Sequence, residues 1–242
     1  MKIIKVDATT STNSLARILN QENSYKKFCI STEFQTQGRG QHQSSWQSSR
    51  SKNIMTTVVF NQLELDINKQ FLLNALVCLR LYFVLKKYDL PELKLKWPND
   101  ILSDHYKICG ILIENTLNQD VIKSAYIGIG LNVNQMVFED LPQASSLKKI
   151  LGKTFDREQL LQEIIEELET LSKDLKENSA EKIINTYKNH LYKFKTESQF
   201  ILPNDEVHTA VIKDVALDGQ MLVEFKSGKQ SYFQHKAINQ LY

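Results

Sequence analysis

A carboxylate, a carboxamide and two amines fall close together in Leu93–Asn115, LKLKWPNDILSDHYKICGILIEN. Lys96, Asn99, Asp100 and Lys107 are the chemistry-bearing residues, and Gly110 adds a stretch of backbone without a side chain. Lysines next to a carboxylate suit the handling of an anionic substrate, above all phosphate, where charge must be stabilised in a confined site. Pro98 lacks an N–H and fixes φ, so a strand must stop there or run along an edge. Asn99 and Asp100 therefore fall where the chain leaves the sheet, a common place for binding groups.

A second set lies in Gln35-Thr36-Gln37-Gly38-Arg39-Gly40-Gln41-His42-Gln43-Ser44-Ser45-Trp46. This connection is longer than a hairpin turn, and long loops in compact domains often serve as lids. Gly38 and Gly40 allow backbone N–H groups to face an anion, and Arg39 offers a fork of donors to phosphate or carboxylate. Trp46 either caps the core or stacks on a flat ligand. A third set is Ile127-Gly128-Ile129-Gly130-Leu131-Asn132, where alternate glycines put two missing side chains on one strand face. The fourth, Ser11-Thr12-Asn13, precedes Leu15, Ala16, Ile18 and Leu19 at helical spacing and supplies an N-cap.

The elements that must position these groups follow from the pattern. Leu93–Trp97 and Ile108–Ile113 read as two strands joined by a polar turn. Strands are also expected at residues 3–6, 28–34 and 54–60. Asp66 is expected to cap a helix from Ile67 to Tyr88, with Phe71, Leu72, Ala75, Leu76, Leu79, Tyr82 and Phe83 as its apolar face. Asp156 caps a helix to about Lys176, with Gln159 in the capping-box position, and another helix runs from Ala180 to Tyr192. Glu163, Glu166, Glu167 and Glu169 read as a solvated face. After residue 198 short strands alternate with turns at Asp218-Gly219 and Ser227-Gly228.

The net charge of +2 does not favour non-specific binding to nucleic acid. Cys29, Cys78 and Cys109 are far apart, which speaks for reduced thiols rather than disulfides or a zinc site. No signal peptide is read at the start, and no window is read as a membrane span of ~20 apolar residues.

KWPND followed by K-x-x-G-I-L-I-E, with GRG…W upstream and GIGLNVN downstream, resembles the biotin protein ligases, the biotin–[acetyl-CoA-carboxylase] ligases. The resemblance implies an α+β fold: a mixed β-sheet flanked by helices, similar to class II aminoacyl-tRNA synthetases. It implies a catalytic biotin/ATP-binding domain over residues 1–195 and a small SH3-like β-barrel over 196–242. The implied reaction forms biotinyl-5′-AMP from biotin and ATP, then transfers biotin to a lysine of a biotin carboxyl carrier domain.

By the same resemblance Lys107 is the catalytic lysine, with Arg39 and Asp100 beside it and Asp100 as the Mg²⁺ ligand. Ser11, Thr12, Asn13, Gln35, Gly38, Arg39, Gly40, Lys107, Gly110, Gly128 and Gly130 are expected at biotin. Arg39, Trp46, Lys96, Asn99, Asp100, Lys107 and Asn132 are expected at ATP. Two loop cations of many family members are replaced, with Gln41 in one arginine position and Gln43-Ser44 for a Gly-Arg pair, which predicts earlier loop opening. A lipoate or octanoate ligase or transferase of related fold is the alternative. The implied protein is cytoplasmic, binds neither DNA nor membrane, and is a possible homodimer.

Overall fold

The computed structural model describes residues 1–242 except 23, 24, 42, 43, 204 and 236; the substitution at Gln43 therefore lies outside the described residues. The chain opens with strand β1 (Lys2–Thr9), helix α1 (Thr12–Glu22) and strand β2 (Lys27–Gln35), and β2 lies parallel to β1. Strand β3 (Ile54–Asp66) follows. Beyond it come β4 (Leu93–Lys96), β5 (Asp100–Ser103), β6 (Tyr106–Asn118) and β7 (Val121–Leu131). They form one seven-stranded sheet, ordered β1-β2-β3-β7-β6-β5-β4 and antiparallel apart from the β1–β2 pair.

Strand side chains alternate between the two faces of the sheet. Phe28, Ile30, Val59 and Tyr126 pack with Ala16 of α1. Cys29, Val58, Phe60, Ile127 and Ile129 join the larger core on the other face. That core is built around helix α2 (Gln70–Lys86), which packs against α4 (Arg157–Leu168), α5 (Leu171–Glu177) and α6 (Ala180–Asn189). A short helix α3 (Leu147–Leu151) precedes them, its amino end capped by Ser146.

Several expectations are corrected. The central segment is a three-stranded meander rather than a hairpin, because Trp97-Pro98-Asn99 is itself a turn, between β4 and β5. Pro98 does end β4, which is also the sheet edge. Asp66 caps a 3-10 turn, Ile67–Lys69, by accepting from the Asn68 N–H, and α2 starts only after it. Its apolar face is not a stripe: Leu73, Val77, Cys78, Leu81, Val84 and Leu85 are buried as well. With the 3-10 turn, the 20-residue segment Ile67–Lys86 contains an 18-residue window of mean hydropathy 1.2, long and apolar enough for a membrane span by length and composition. Burial between sheet and helices accounts for that composition.

The helix expected from Arg157 to Lys176 breaks between Leu168 and Leu171. Asp156 accepts from the Glu158 and Gln159 N–H groups, while the Gln159 amide turns outward to Glu163 instead of closing a capping box. The glutamates beyond are not simply solvated. Glu167 pairs with Arg80 at 2.7 Å, Glu169 with Lys27 at 3.1 Å, and Glu163 accepts from the Tyr88 hydroxyl.

The C-terminal segment forms a five-stranded antiparallel sheet of β8 (Glu197–Ile201), β9 (Val207–Val215), β10 (Met221–Phe225), β11 (Gln230–Phe233) and β12 (Asn239–Gln240). Gly219 at φ 92° and Gly228 at φ 80° make the two turns, conformations that favour glycine. Phe200, Ile212, Met221 and Val223 are continuous with the main core. The Trp97 indole N–H donates to Gly219 O at 3.0 Å and ties the two sheets together beside the WPND turn.

Candidate active site

The site lies on the α1 face of the seven-stranded sheet, beyond the amino end of α1. Gly110 on β6 is paired directly with Gly130 on β7, and Leu112 with Gly128. Three glycines on two neighbouring strands thus leave a bare patch. The Trp46 ring lies across it: a Cβ on Gly110 would come within 3.0 Å of the indole, and one on Gly130 would lie inside the ring's contact surface. A Cβ on Gly128 would meet Asn13 Oδ1 at 2.6 Å. Here the absence of a side chain is required by close approach.

Lys107 owes its direction to a bulge. Leu102 is paired with Lys107 but Ile101 with Cys109, so Ile108 is the extra residue of β6. Bulges re-aim side chains next to sites. Here Ile108 and Cys109 both enter the core while Lys107 emerges over Gly110. Its ammonium pairs with Asp100 Oδ1 at 2.8 Å. The backbone of Lys107 is held as well, donating to Gln143 O at 2.7 Å and accepting from the Ser145 N–H at 3.1 Å.

Each residue of the preceding turn is anchored separately. Pro98 O accepts from Asn74 Nδ2 at 2.7 Å and from the Tyr187 hydroxyl at 2.9 Å, with Cys78 Sγ at 3.9 Å. Asn99 Nδ2 donates to Ile111 O at 2.6 Å. Helices α2 and α6 therefore set the position of Asp100 from below.

At the other end, Gln35 Oε1 accepts from the Thr12 N–H at 2.8 Å and lies 3.2 Å from its hydroxyl. Thr57 Oγ1 lies 2.8 Å from Thr12 Oγ1 and 2.6 Å from Asn13 Oδ1. Asn13 Nδ2 donates to Glu114 at 2.8 Å. Ser11 is buried beside them. Hydroxyls and amides fixed in this way offer directed donors and acceptors to a small polar ring.

A cavity of about 410 Å³ runs between these two ends. It brings together Ser11, Thr12, Asn13, Gln35, Arg39, Gly40, Trp46, Asn99, Asp100, Lys107, Gly110, Gly128 and Gly130. Three expected residues do not line it. Gly38 accepts from the Trp46 N–H at 2.8 Å and so fixes the loop. Asn132 lines an adjoining pocket of about 330 Å³ with Trp46 and Lys107. There its Nδ2 donates to Ser145 O, while Oδ1 is buried with no partner among the described residues. Lys96 is buried beneath Tyr242, its ammonium 3.9 Å from the ring centre. Burial pushes the Lys96 ammonium down to about 8; Asp100 opposes this and Lys107 adds to it. The Tyr242 phenol is pushed up, first by burial and then by Asp100.

The loop differs from expectation in two ways. Arg39 does not point at Lys107 but pairs with Glu114 at 3.2 Å and touches Ser14. The Gly40 N–H donates to Ser44 O at 2.7 Å and is not free for an anion. The strand around Gly110–Ile113, expected to wall an apolar groove, does contribute Ile111 and Leu112 to the lining, but the sequence did not mark Trp97, His235, Ile238, Asn239 and Gln240, which also line the cavity. Four of these come from the C-terminal segment, Asn239 and Gln240 from β12 and His235 and Ile238 from the connection before it, and no local motif marks them. Cys109 faces the core, and its thiol proton is held by burial. A cysteine acyl carrier at this place is excluded by that orientation.

Only one carboxylate, Asp100, lines the cavity, and no cluster of three His, Cys, Asp or Glu residues able to hold a metal occurs among the described residues. That donor set does not build a protein cage. It does fit Mg²⁺ arriving on a nucleotide, since this ion commonly takes one carboxylate with phosphate oxygens and waters.

Comparison with known proteins adds the lineage. Among curated proteins, the bifunctional ligase/repressor BirA of Bacillus subtilis is 29% identical over 168 residues, 67% of this chain and 51% of that protein. The biotin–[acetyl-CoA-carboxylase] ligase of Mycobacterium tuberculosis is 31% identical over 140 residues, 57% of this chain and 51% of that protein. The chain thus spans about half the length of the curated relatives it matches. Among solved structures, the biotin protein ligase of Aquifex aeolicus in complex with biotin and ATP superposes with a TM-score of 0.81 at 22% identity, covering 99% of this chain and 98% of that one. The biotin/lipoate A/B protein ligase family matches residues 4–133. The chain belongs to that family.

Proposed function

We propose that this protein activates biotin with ATP and transfers it to a lysine of a biotin carboxyl carrier domain. The observation that carries the reading is the Lys107–Asp100 pair at 2.8 Å in a cavity whose far end is lined by Ser11, Thr12 and Gln35. In this reading the hydroxyls and amide hold biotin's ureido ring, and the bare Gly110–Gly130 patch seats the Trp46 ring flat on the sheet, where it walls the ligand. The biotin carboxylate then sits near Lys107. Its attack on the α-phosphate forms a P–O bond and releases pyrophosphate. Lys107 neutralises the charge that the two anions bring together.

Asp100 orients Lys107 and would be the residue to hold Mg²⁺ arriving on ATP, which would supply further charge neutralisation. Trp46 and Asn132 form the adenine pocket, with the unpartnered Asn132 Oδ1 as an acceptor for an exocyclic amine. Lys96 lies behind Tyr242, so its approach to phosphate requires that ring to move. Arg39 must leave Glu114 before it meets the ligand. Residues 1–195 act as the catalytic unit and 196–242 as an SH3-like unit that closes one side of the cavity. A cytoplasmic setting belongs to the same reading, as does a homodimer along a free sheet edge.

The test is calorimetric titration with biotin, MgATP and both, with mass spectrometry of the bound species. Retained biotinyl-5′-AMP is expected. Absence of biotin binding refutes the reading and returns the lipoate or octanoate alternative.

A further inference from the structure

A second cavity, of about 600 Å³, opens on the other side of the WPND turn. It lies between the start of α2, the Trp97-Pro98 turn and the β9–β10 turn at Asp218–Gln220. Gln41, Trp97, Leu112 and His235 line both this cavity and the reaction cavity, so the two adjoin at these residues.

The linings differ in charge. The reaction cavity contains Arg39 and Lys107. Among the described residues, the second contains no lysine or arginine and a single carboxylate, Asp218. Its polar walls are carboxamides, among them Asn68, Gln70, Gln220 and Gln234. A carboxamide carries both donor and acceptor and so matches the N–H and C=O of an extended peptide. At the junction, Gln41 Oε1 is buried and has no hydrogen-bond partner among the described residues. An unpaired buried acceptor awaits a donor.

Two substrates of opposite charge must reach the same carboxyl group, a nucleotide polyanion at its oxygen and a lysine ammonium at its carbon. We infer that the peptide bearing the acceptor lysine approaches through this amide-lined groove, opposite the cationic side, with Gln41 Oε1 accepting from the incoming amine. This rests on the ligase reading above. The amine nitrogen forms a bond to the acyl carbon of the mixed anhydride. The bond from that carbon to the phosphate oxygen breaks, AMP leaves with the electron pair, and two protons pass to water, one from the ammonium before attack and one from the nitrogen after it.

Gln70 and Asp218 are exposed and make no contact with the reaction cavity. Gln70→Lys and Asp218→Lys place a cation on either wall of the groove. Biotin-dependent ATP–pyrophosphate exchange reads the first half-reaction, and transfer to a purified carrier domain of an acetyl-CoA carboxylase reads the second. Exchange is expected within two-fold of the parent for both variants. Transfer is expected to fall about ten-fold in kcat/KM, through KM for the carrier, with the loss shrinking as salt rises.

Transfer within two-fold of the parent in a folded variant overturns the groove assignment and leaves the ligase reading intact. Loss of exchange also overturns it, because the groove would then not be separate from nucleotide chemistry. An unmodified protein without exchange overturns the ligase reading itself. If the Asp218 turn does not tolerate lysine, Gln70→Lys alone decides the matter.

Discussion

The anchoring of Pro98 O can be tested by a double-mutant cycle on Asn74 and Tyr187. Tyr187→Phe removes one hydroxyl from a fully buried ring and leaves its packing, including the edge contact to Phe71 at 5.7 Å between centroids. The carbonyl then keeps Asn74 at 2.7 Å. A neutral hydrogen bond is worth about 1 kcal/mol net, so Tyr187→Phe and Asn74→Ala should each cost about that much. With both removed, only the Cys78 thiol at 3.9 Å faces the oxygen. Orphaning it adds about 1–3 kcal/mol, so the double variant should lose about 3–5 kcal/mol rather than 2. For a chain of this size that is a fall in Tm on the order of 10 °C, against about 3 °C for each single change. Thermal melts of the four proteins decide it. Additive losses refute the view that the two groups share one essential acceptor. Because the turn carries Asp100, the double variant should also lose adenylation more steeply than biotin binding.

Further outcomes are expected. Lys107→Ala should reduce adenylate formation on the order of 10²–10³ while biotin still binds, read by single-turnover kinetics and calorimetry; unchanged turnover refutes its assigned role. Lys96 has a folded pKa of about 8, below its unfolded value of 10.5, so the unfolded chain holds more protons between those pH values and stability from this group rises with pH. From pH 7.5 to 9.5 the parent should gain about 2 kcal/mol relative to Lys96→Met in urea unfolding, and no difference between the two proteins would count against a buried amine. Gly130→Ala should displace Trp46, shifting tryptophan emission and weakening ATP binding at least ten-fold; an unshifted spectrum would mean the ring does not rest on β7.

The residues that the fold gathers at the cavity were legible because their signals are local. Pro98 forces an exit from the strand, and the alternate glycines of β7 fix a bare face. The missing strand β5 has a physical explanation. It is four residues long, and Ile101 and Leu102 are both fully buried, so period-2 alternation never appears. The break between α4 and α5 was hidden because Leu168 and Leu171 are both core residues, and the helical period runs through it. Gly110 and Gly130 were each visible, but their direct pairing depends on strand order. The C-terminal wall of the cavity, His235, Ile238, Asn239 and Gln240, depends on long-range packing such as that of His235 on Trp97, over a hundred positions away. Arg39 illustrates a different limit: its fork of donors is visible in the sequence, but its partner Glu114 is chosen by the fold.

The all-round apolar helix α2 also bears on synthesis. Its sheet-facing side meets β4 and β5 soon after it is made, but the opposite side waits for α4, α5 and α6, which end at Asn189. About a hundred residues must emerge in between, which at 5–20 residues per second takes roughly 5–20 s. During that interval the nascent chain presents a greasy rod to the cytosolic or membrane machinery that scans emerging segments. Ribosome-stalled chains ending before Arg157 should therefore capture a hydrophobic-segment binder that chains with all three covering helices exposed outside the tunnel do not; equal capture would show that α2 is shielded some other way. The order of elements along the gene, not only their final packing, then sets when this protein is most vulnerable to aggregation.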